Sequence, residues 1–202
     1  MHSLRGHTGA VTGVRFLSPE ATEAIALGLD APQLRICAVS GSQDCSVKVW
    51  DLETGSLVKS YYTYNGITRL EVVPRTTCTI TGTDGGKLEL YDLATGQSPF
   101  SQRVHEEAVT ALYVRDSDSP AVISGSQDGI IKFFTLEEDS FSLRCLFVSE
   151  NIKTDPDTSV HIRPVYSIAI GGINCKIRVT SLTKLSEKYN FSAKTRNHCM
   201  QF

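Results

Sequence analysis

Apolar and polar residues alternate along this chain in short bursts, and the bursts recur. Val39-Ser40-Gly41-Ser42-Gln43-Asp44-Cys45-Ser46 leads into Val47-Lys48-Val49-Trp50-Asp51. The period of two puts Val47 and Val49 on one face of a strand and Lys48 on the other. An apolar run, a glycine with a polar tip and an alternating run together describe a β-hairpin, the glycine being expected to supply backbone freedom at the turn. The same arrangement returns without internal gaps at residues 82–92, 125–134 and 171–180.

The leading glycines Gly41, Gly82, Gly125 and Gly171 lie 41, 43 and 46 residues apart. That spacing fits one four-stranded propeller blade per repeat. In the first repeat Val11, Val14 and Phe16 mark an inner strand, and further strands are expected at 34–40, 46–50 and 57–62. An insertion at 18–33 holds Pro19, Gly28 and Pro32, and its alanine-rich part, 20–29, reads as a loop. The second repeat predicts strands at 67–73, 77–81, 87–91 and 98–104. The third predicts 109–114, 121–124, 130–135 and 142–147, with acidic Glu137-Glu138-Asp139 as a solvated tip.

The fourth repeat is shorter. His7, His105 and His161 each stand four residues ahead of a valine (Val11, Val109, Val165), yet the distance from histidine to leading glycine falls from 34 and 20 to 10. A strand and its loop are therefore expected to be missing, with 165–170 running straight into Gly171-Gly172. Residues 1–5 read as the last strand of a preceding blade, 189–191 as an outer strand and 193–202 as the start of a further repeat. The repeats are about 6–62, 63–104, 105–148 and 161–192, with a polar loop at 149–160 containing Pro156.

Composition narrows the function classes. The chain of 202 residues is 41% hydrophobic and 21% charged, ordinary for a globular domain. Its 20 Lys+Arg against 22 Asp+Glu give a net charge of -2, so no general attraction to nucleic acid or anionic membrane is indicated. Six cysteines occur without a CxxC pair and no secretory leader follows Met1, which points to a reducing compartment, cytoplasmic or nuclear. The triplet Asn190-Phe191-Ser192 is discounted as a glycosylation site on that ground. No apolar stretch reaches the roughly 20 residues of a membrane-spanning helix.

Gly6-His7, then Ser40-Gly41-Ser42-Gln43-Asp44, closed by Trp50-Asp51, resembles the WD-repeat family. The resemblance implies an all-β fold: here a partial β-propeller of about four blades, the fourth lacking a strand. It also implies a buried tetrad in each blade, a histidine, a strand-two serine or threonine, a turn aspartate and a strand-three tryptophan. The first repeat supplies His7, Ser40, Asp44 and Trp50. The third supplies His105, Ser124 and Asp128, with Phe134 in place of the indole. The second keeps Thr81 alone, with Thr63, Gly85 and Tyr91 at the other positions, and the fourth has His161 with Ile170, Asn174 and Thr180. By the same resemblance a partner-binding face falls on Ala10, Thr12, Gln43, Gly66, Thr68, Asp84, Ala108, Thr110, Gln127, Pro164, Tyr166 and Ile173, of which Tyr166 is the expected anchor. Tyr61-Tyr62-Thr63-Tyr64 is a second candidate surface, unless it packs neighbouring sheets.

These features favour a non-catalytic scaffold whose partner is a protein or peptide, and no enzyme. Ser40 sits in no GxSxG elbow, the glycine turns lack the Lys-Ser/Thr and helix of a phosphate cradle, and no histidines or cysteines stand at metal-ligand spacing, so no cofactor or metal is expected. Two alternatives stay open: the substrate-recognition propeller of an F-box ubiquitin ligase, lacking its adaptor-binding segment, and an RNA- or phosphoinositide-binding propeller using Arg163, Lys176, Arg178 and Lys184. Four uneven blades leave sheet faces open. The chain is thus expected to be a truncated or alternatively spliced product of a longer protein, or to complete its ring with a second copy.

Overall fold

The computed structural model describes residues 3–116, 120–137, 142–148, 159–163, 167–171 and 178–181. The first sheet comprises β1 (Val11–Phe16), β2 (Cys37–Ser42), β3 (Ser46–Asp51) and β4 (Leu57–Tyr62), with α1 (Pro19–Gly28) inserted between β1 and β2. The second comprises β5 (Ile67–Val72), β6 (Cys78–Thr83), β7 (Lys87–Asp92) and β8 (Phe100–Arg103). The third comprises β9 (Val109–Arg115), β10 (Ala121–Ser126), β11 (Ile131–Glu137) and β12 (Ser142–Val148). Three strands of a fourth follow: β13 (Ser159–Arg163), β14 (Ser167–Gly171) and β15 (Arg178–Ser181). Every sheet is an antiparallel meander in chain order, and β1, β5, β9 and β13 lie successively side by side as the inner strands. Among the described residues this is a stack of four blades, open at the first.

Two cores lie between the blades. Val39, Val47 and Val49 of the first sheet meet Ile67, Leu70 and Tyr91 of the second, while Ile80, Leu88 and Leu90 of the second meet Val109, Leu112 and Val114 of the third. Ile67 and Leu70, 0% and 2% exposed, each contribute roughly 1.5–3 kcal/mol by burial. Each complete blade also carries a β-bulge on its inner strand: the register slips between Val11 and Gly13, between Ile67 and Arg69, and opposite Gly125 and Ser126. The extra residue is Thr12, Thr68 or Thr110.

Three expectations are corrected. Residues 20–29 are not a loop: Ser18 caps α1, its Oγ accepting from Ala21 N–H at 3.2 Å, Pro19 occupies the first turn, and Ala21, Thr22, Ile25 and Ala26 form the buried stripe. Residues 3–5 form no strand; 3–10 is an irregular segment laid against the blade, with Gly6 under the Trp50 ring. In the fourth sheet the inner strand is Ser159–Arg163, so the loop ends sooner and 167–171 is the second strand. His161 stands within the inner strand opposite Ala169, which is not the position of His7 or His105. Its spacing to Val165 does not mark a tetrad histidine. Residues 189–202 lie outside the described residues.

The leading glycines also differ from expectation. Gly41 and Gly82 are strand residues paired with Val47 and Leu88, and the turn follows them. A Cβ on Gly41 would stand 2.8 Å from Ile67 Cγ2, and one on Gly82 2.5 Å from Val109 Cγ1. These glycines make room for the next blade. The left-handed turn residues are Cys45 (φ 62°), Gly86 (φ 74°) and Gly129 (φ 76°).

Candidate functional site

In the first blade the tight β2–β3 turn carries Asp44 beneath the segment that holds His7. His7 Nδ1 lies 2.8 Å from Asp44 Oδ2 and Nε2 lies 2.7 Å from Ser40 Oγ; Trp50 Nε1–H donates to the same Ser40 oxygen at 2.7 Å. With a neutral ring the donors run in one direction: indole to serine, serine to histidine, histidine to aspartate. Asp44 also accepts from Thr8 N–H at 2.8 Å and from the Ser46 hydroxyl at 2.6 Å. Burial opposes ionisation of Asp44, but these hydrogen bonds from Ser46, Thr8 and His7 prevail and hold its carboxyl well below the usual range.

The third blade repeats the geometry without the indole. His105 Nδ1 is 3.0 Å from Asp128 Oδ2 and Nε2 is 2.8 Å from Ser124 Oγ, while Phe134 fills the tryptophan position. Burial depresses the His105 pKa; Asp128 opposes this and Lys132 adds to it. The second blade has its own network. Tyr91 donates to Glu89 Oε2 and Ser101 to Glu89 Oε1, each at 3.0 Å, so a 3%-exposed carboxylate is satisfied where Trp50 and Lys48 stand in the first blade. Thr81 and Thr63 bond backbone carbonyls instead. No family spacing in the sequence marks Glu89 or Ser101; the alternation that puts Glu89 and Tyr91 on one face was the available signal.

Asp44, His7 and Ser40 stand in the order of a nucleophilic triad, and the environment decides against that use. Ser40 is 3% exposed and its oxygen already serves both Trp50 and His7, so no electrophile can reach it. No cluster of three metal-ligating side chains occurs among the described residues. An open groove of about 760 Å³ between α1 and the outer parts of the first two blades is lined by Leu29, Asp30, Lys59, Tyr61, Tyr91 and Thr95 among others. Its two buried phenols are engaged, Tyr61 with Leu93 O at 2.6 Å and Tyr91 with Glu89, and burial pushes the Tyr61 hydroxyl up to about 12.

The positions named for a partner separate into two kinds. Gln43, Asp84 and Gln127 are exposed, and their N–H groups donate to Ala10 O, Gly66 O and Ala108 O at 2.9, 3.0 and 3.0 Å, so each pair comes together at the same corner of its blade. The bulge threonines face inward. Thr12 Oγ1 reaches Gly41 O at 3.2 Å and Ile67 O of the next blade at 2.7 Å; Thr68 reaches Gly82 O at 3.0 Å and Val109 O at 2.5 Å. Thr110 meets Gly125 O at 3.4 Å. The Thr12 and Thr68 hydroxyls thus bolt one blade to the next, a role that their place on a partner-binding face does not anticipate. Tyr166, Pro164 and Ile173 lie outside the described residues. In the tyrosine cluster Tyr61 is buried against Tyr91, with ring centroids 6.3 Å apart, whereas Tyr62 and Tyr64 are 74% and 92% exposed beneath the ammonium groups of Lys48 and Lys87.

A family model described as WD domain, G-beta repeat matches residues 1–51 and 96–135, and most of the second blade, with its replaced tetrad, falls between the two stretches. Among curated relatives, the ribosome biogenesis protein YTM1 of Phaeosphaeria nodorum is 29% identical over 65% of this chain and 26% of its own length. Autophagy-related protein 16 of Arabidopsis thaliana is 30% identical over 54% of this chain and 22% of its own. The chain thus spans about a quarter of the length of these relatives. Among solved structures, the computationally designed Ika4 protein superposes with a TM-score of 0.65 at 23% identity, covering 89% of this chain and 95% of Ika4. The designed Ika8 protein superposes at 0.62 and 22% identity, covering 89% of this chain and 48% of Ika8. The recurring hairpins, the histidine–serine–aspartate networks and these matches together support a WD-repeat family for this chain, the matched stretches being residues 1–51 and 96–135.

Proposed function

We propose that the chain is a non-catalytic interaction scaffold whose ligand is a protein or peptide. The carrying observation is the division of labour at each turn: His7, Ser40, Asp44, His105, Ser124 and Asp128 are consumed in internal hydrogen bonds, while the neighbouring Gln43, Asp84 and Gln127 stay exposed at one recurring position. With Ala10, these exposed side chains make a rim on three consecutive blades that a partner can read by shape and hydrogen bonding. Thr12, Thr68 and Thr110 support that rim rather than contact the partner. Several relatives are named as ribosome biogenesis proteins, which supports a place in the assembly of ribosomes as the finer reading. The chain would then act in the nucleus or cytoplasm, where buried thiols such as Cys37 and Cys78 stay reduced.

The test is a quantitative pull-down comparing the wild-type chain with the triple variant Gln43→Arg, Asp84→Lys, Gln127→Arg. Specific partners should be lost from the variant while its thermal melt stays unchanged, and ribosome-assembly proteins should stand among them. An unchanged set of captured proteins would remove the rim from the proposal. Neither ligase adaptors nor nucleic acid gains support from a specific observation among the described residues; of the basic residues considered for nucleic acid, Lys176 and Lys184 lie outside them.

A further inference from the structure

The exposed rim carries one charge that the histidine networks do not use. In the first and third blades the aspartate stands in the turn, where Asp44 and Asp128 hold His7 and His105, and the residue before it is a glutamine, Gln43 or Gln127. The second blade moves its acid back by one place: Gly85 occupies the turn position, Thr63 replaces the histidine, and Asp84 stands at the rim. With no histidine to serve, its carboxylate is exposed, and it is neither hydrogen-bonded nor ion-paired among the described residues. Its place is nonetheless fixed. A Cβ on Gly66 would stand 2.8 Å from Asp84 Oδ2 and 3.4 Å from Gln43 O, so the carboxylate rests on bare glycine backbone at the seam with the first blade. Two residues before Gly66, Tyr64 stands 92% exposed, an aromatic of the type that anchors interfaces.

We propose that the peptide taken by the rim carries a lysine or arginine whose cation pairs with the Asp84 carboxylate, with Tyr64 as the wall beside it. The inference rests on the rim of Gln43, Asp84 and Gln127 being the partner-binding surface, and it adds the chemistry of the partner. The charges around the seam leave one sign over. Lys87 is turned to the Tyr64 ring, 5.7 Å from its centroid, and Arg103 is engaged by Glu106 and by the carbonyls of His105 and Glu106. Glu107, by contrast, is exposed like Asp84. A Cβ on Gly86 would meet Glu107 O at 2.8 Å, so the segment bearing Glu107 lies against the turn that carries Asp84. A positioned carboxylate beside an aromatic ring suits a guanidinium or ammonium, which it meets by charge-assisted hydrogen bonds and ring contact. An acidic or phosphorylated segment would be repelled from Asp84 and Glu107.

A random peptide library displayed on phage and selected against the full 202-residue chain supplies the probes, and the enriched peptides are then titrated by fluorescence anisotropy. They should carry a lysine or arginine, and Asp84→Asn, at an exposed position, should weaken them about tenfold with an unchanged circular dichroism spectrum. Gly66→Ala keeps the charge but displaces the carboxylate from its seat, and should weaken them in the same direction. Glu23→Gln, an equal loss of charge at an exposed position of α1, should leave binding as it was. Enriched peptides that lack a basic residue yet fail to bind the Gln43→Arg, Asp84→Lys, Gln127→Arg variant would overturn the cation and leave the rim in place. Peptides that bind that triple variant unchanged would remove the rim, and this inference with it. Basic peptides that bind Asp84→Asn as tightly as the wild type, or that fall equally with Glu23→Gln, would also overturn the proposal.

Discussion

Cys45 occupies a backbone position that glycine fills in the two following blades. Its φ of 62° matches 74° at Gly86 and 76° at Gly129, the left-handed region where a side chain costs about 1–2 kcal/mol. The surrounding turn is strongly held, with Asp44 Oδ1 accepting from Ser46 N–H at 3.0 Å and Ser42 Oγ from Asp44 N–H at 3.1 Å, so the strain persists. Cys45→Gly should stabilise the chain by about 1 kcal/mol in urea unfolding, whereas Gly86→Ala should destabilise it, since its Cβ would also meet Glu107 O at 2.8 Å. A Cys45→Gly midpoint at or below the wild-type value would show that the strain is relieved in another way. The same residues explain what was legible at this scale. The tetrad could be read because side-chain chemistry at fixed spacing announces it. The two kinds of glycine could not be told apart: one clears space for a neighbouring blade and the other adopts a positive φ, and a single sequence writes both as Gly.

At the scale of elements, alternation revealed the strands of the first three blades to within a few residues, because a period of two survives changes of residue identity. The helix α1 was missed because its buried stripe consists mostly of small side chains, Ala21, Thr22 and Ala26 beside Ile25. Its cap, Ser18 followed by Pro19 and Glu20, was the readable signal. His161 shows the opposite failure: a histidine at the right spacing from a valine was only a strand residue opposite Ala169. The seams between blades supply the prediction at this scale. Gly82→Ala should cost about 1–3 kcal/mol by overpacking, and more than Gly41→Ala. At Gly82 the added Cβ would press on Val109 both at Cγ1 and at Cβ, 2.5 and 2.8 Å away, and a Cβ moves only with its backbone. At Gly41 the nearest atoms are the side-chain methyls Ile67 Cγ2 and Leu70 Cδ1, 2.8 and 3.1 Å away. Thermal melts of the two variants, ranked the other way, would mean that the inner strand β9 shifts more easily than β5.

Stacked blades share stability through their neighbours, so a titrating group buried in one blade acts on the melting of the whole chain. His105 is such a group: 2% exposed, bonded to Asp128 and Ser124, with Lys132 donating to Val104 O nearby. Burial, the leading cause, lowers its pKa in the folded state; Asp128 counteracts this and Lys132 reinforces it. Below the ordinary histidine pKa of about 6.5 the unfolded chain therefore binds a proton that the folded blade resists, and stability falls with pH until the folded histidine also protonates. Asp44 acts lower on the scale. Its carboxyl is held below the usual range by hydrogen bonds that outweigh burial, so its contribution is complete above the unfolded carboxylate pKa of about 3.9 and is lost as the pH falls toward its folded value. Acid should thus weaken the chain in two stages, the third blade before the first. Between pH 7.5 and pH 5.5 the melting temperature should drop, and His105→Gln, which carries no titrating ring, should lower stability at pH 7.5 while flattening the slope. An unaltered slope in that variant would move the origin of the pH dependence away from the third-blade network.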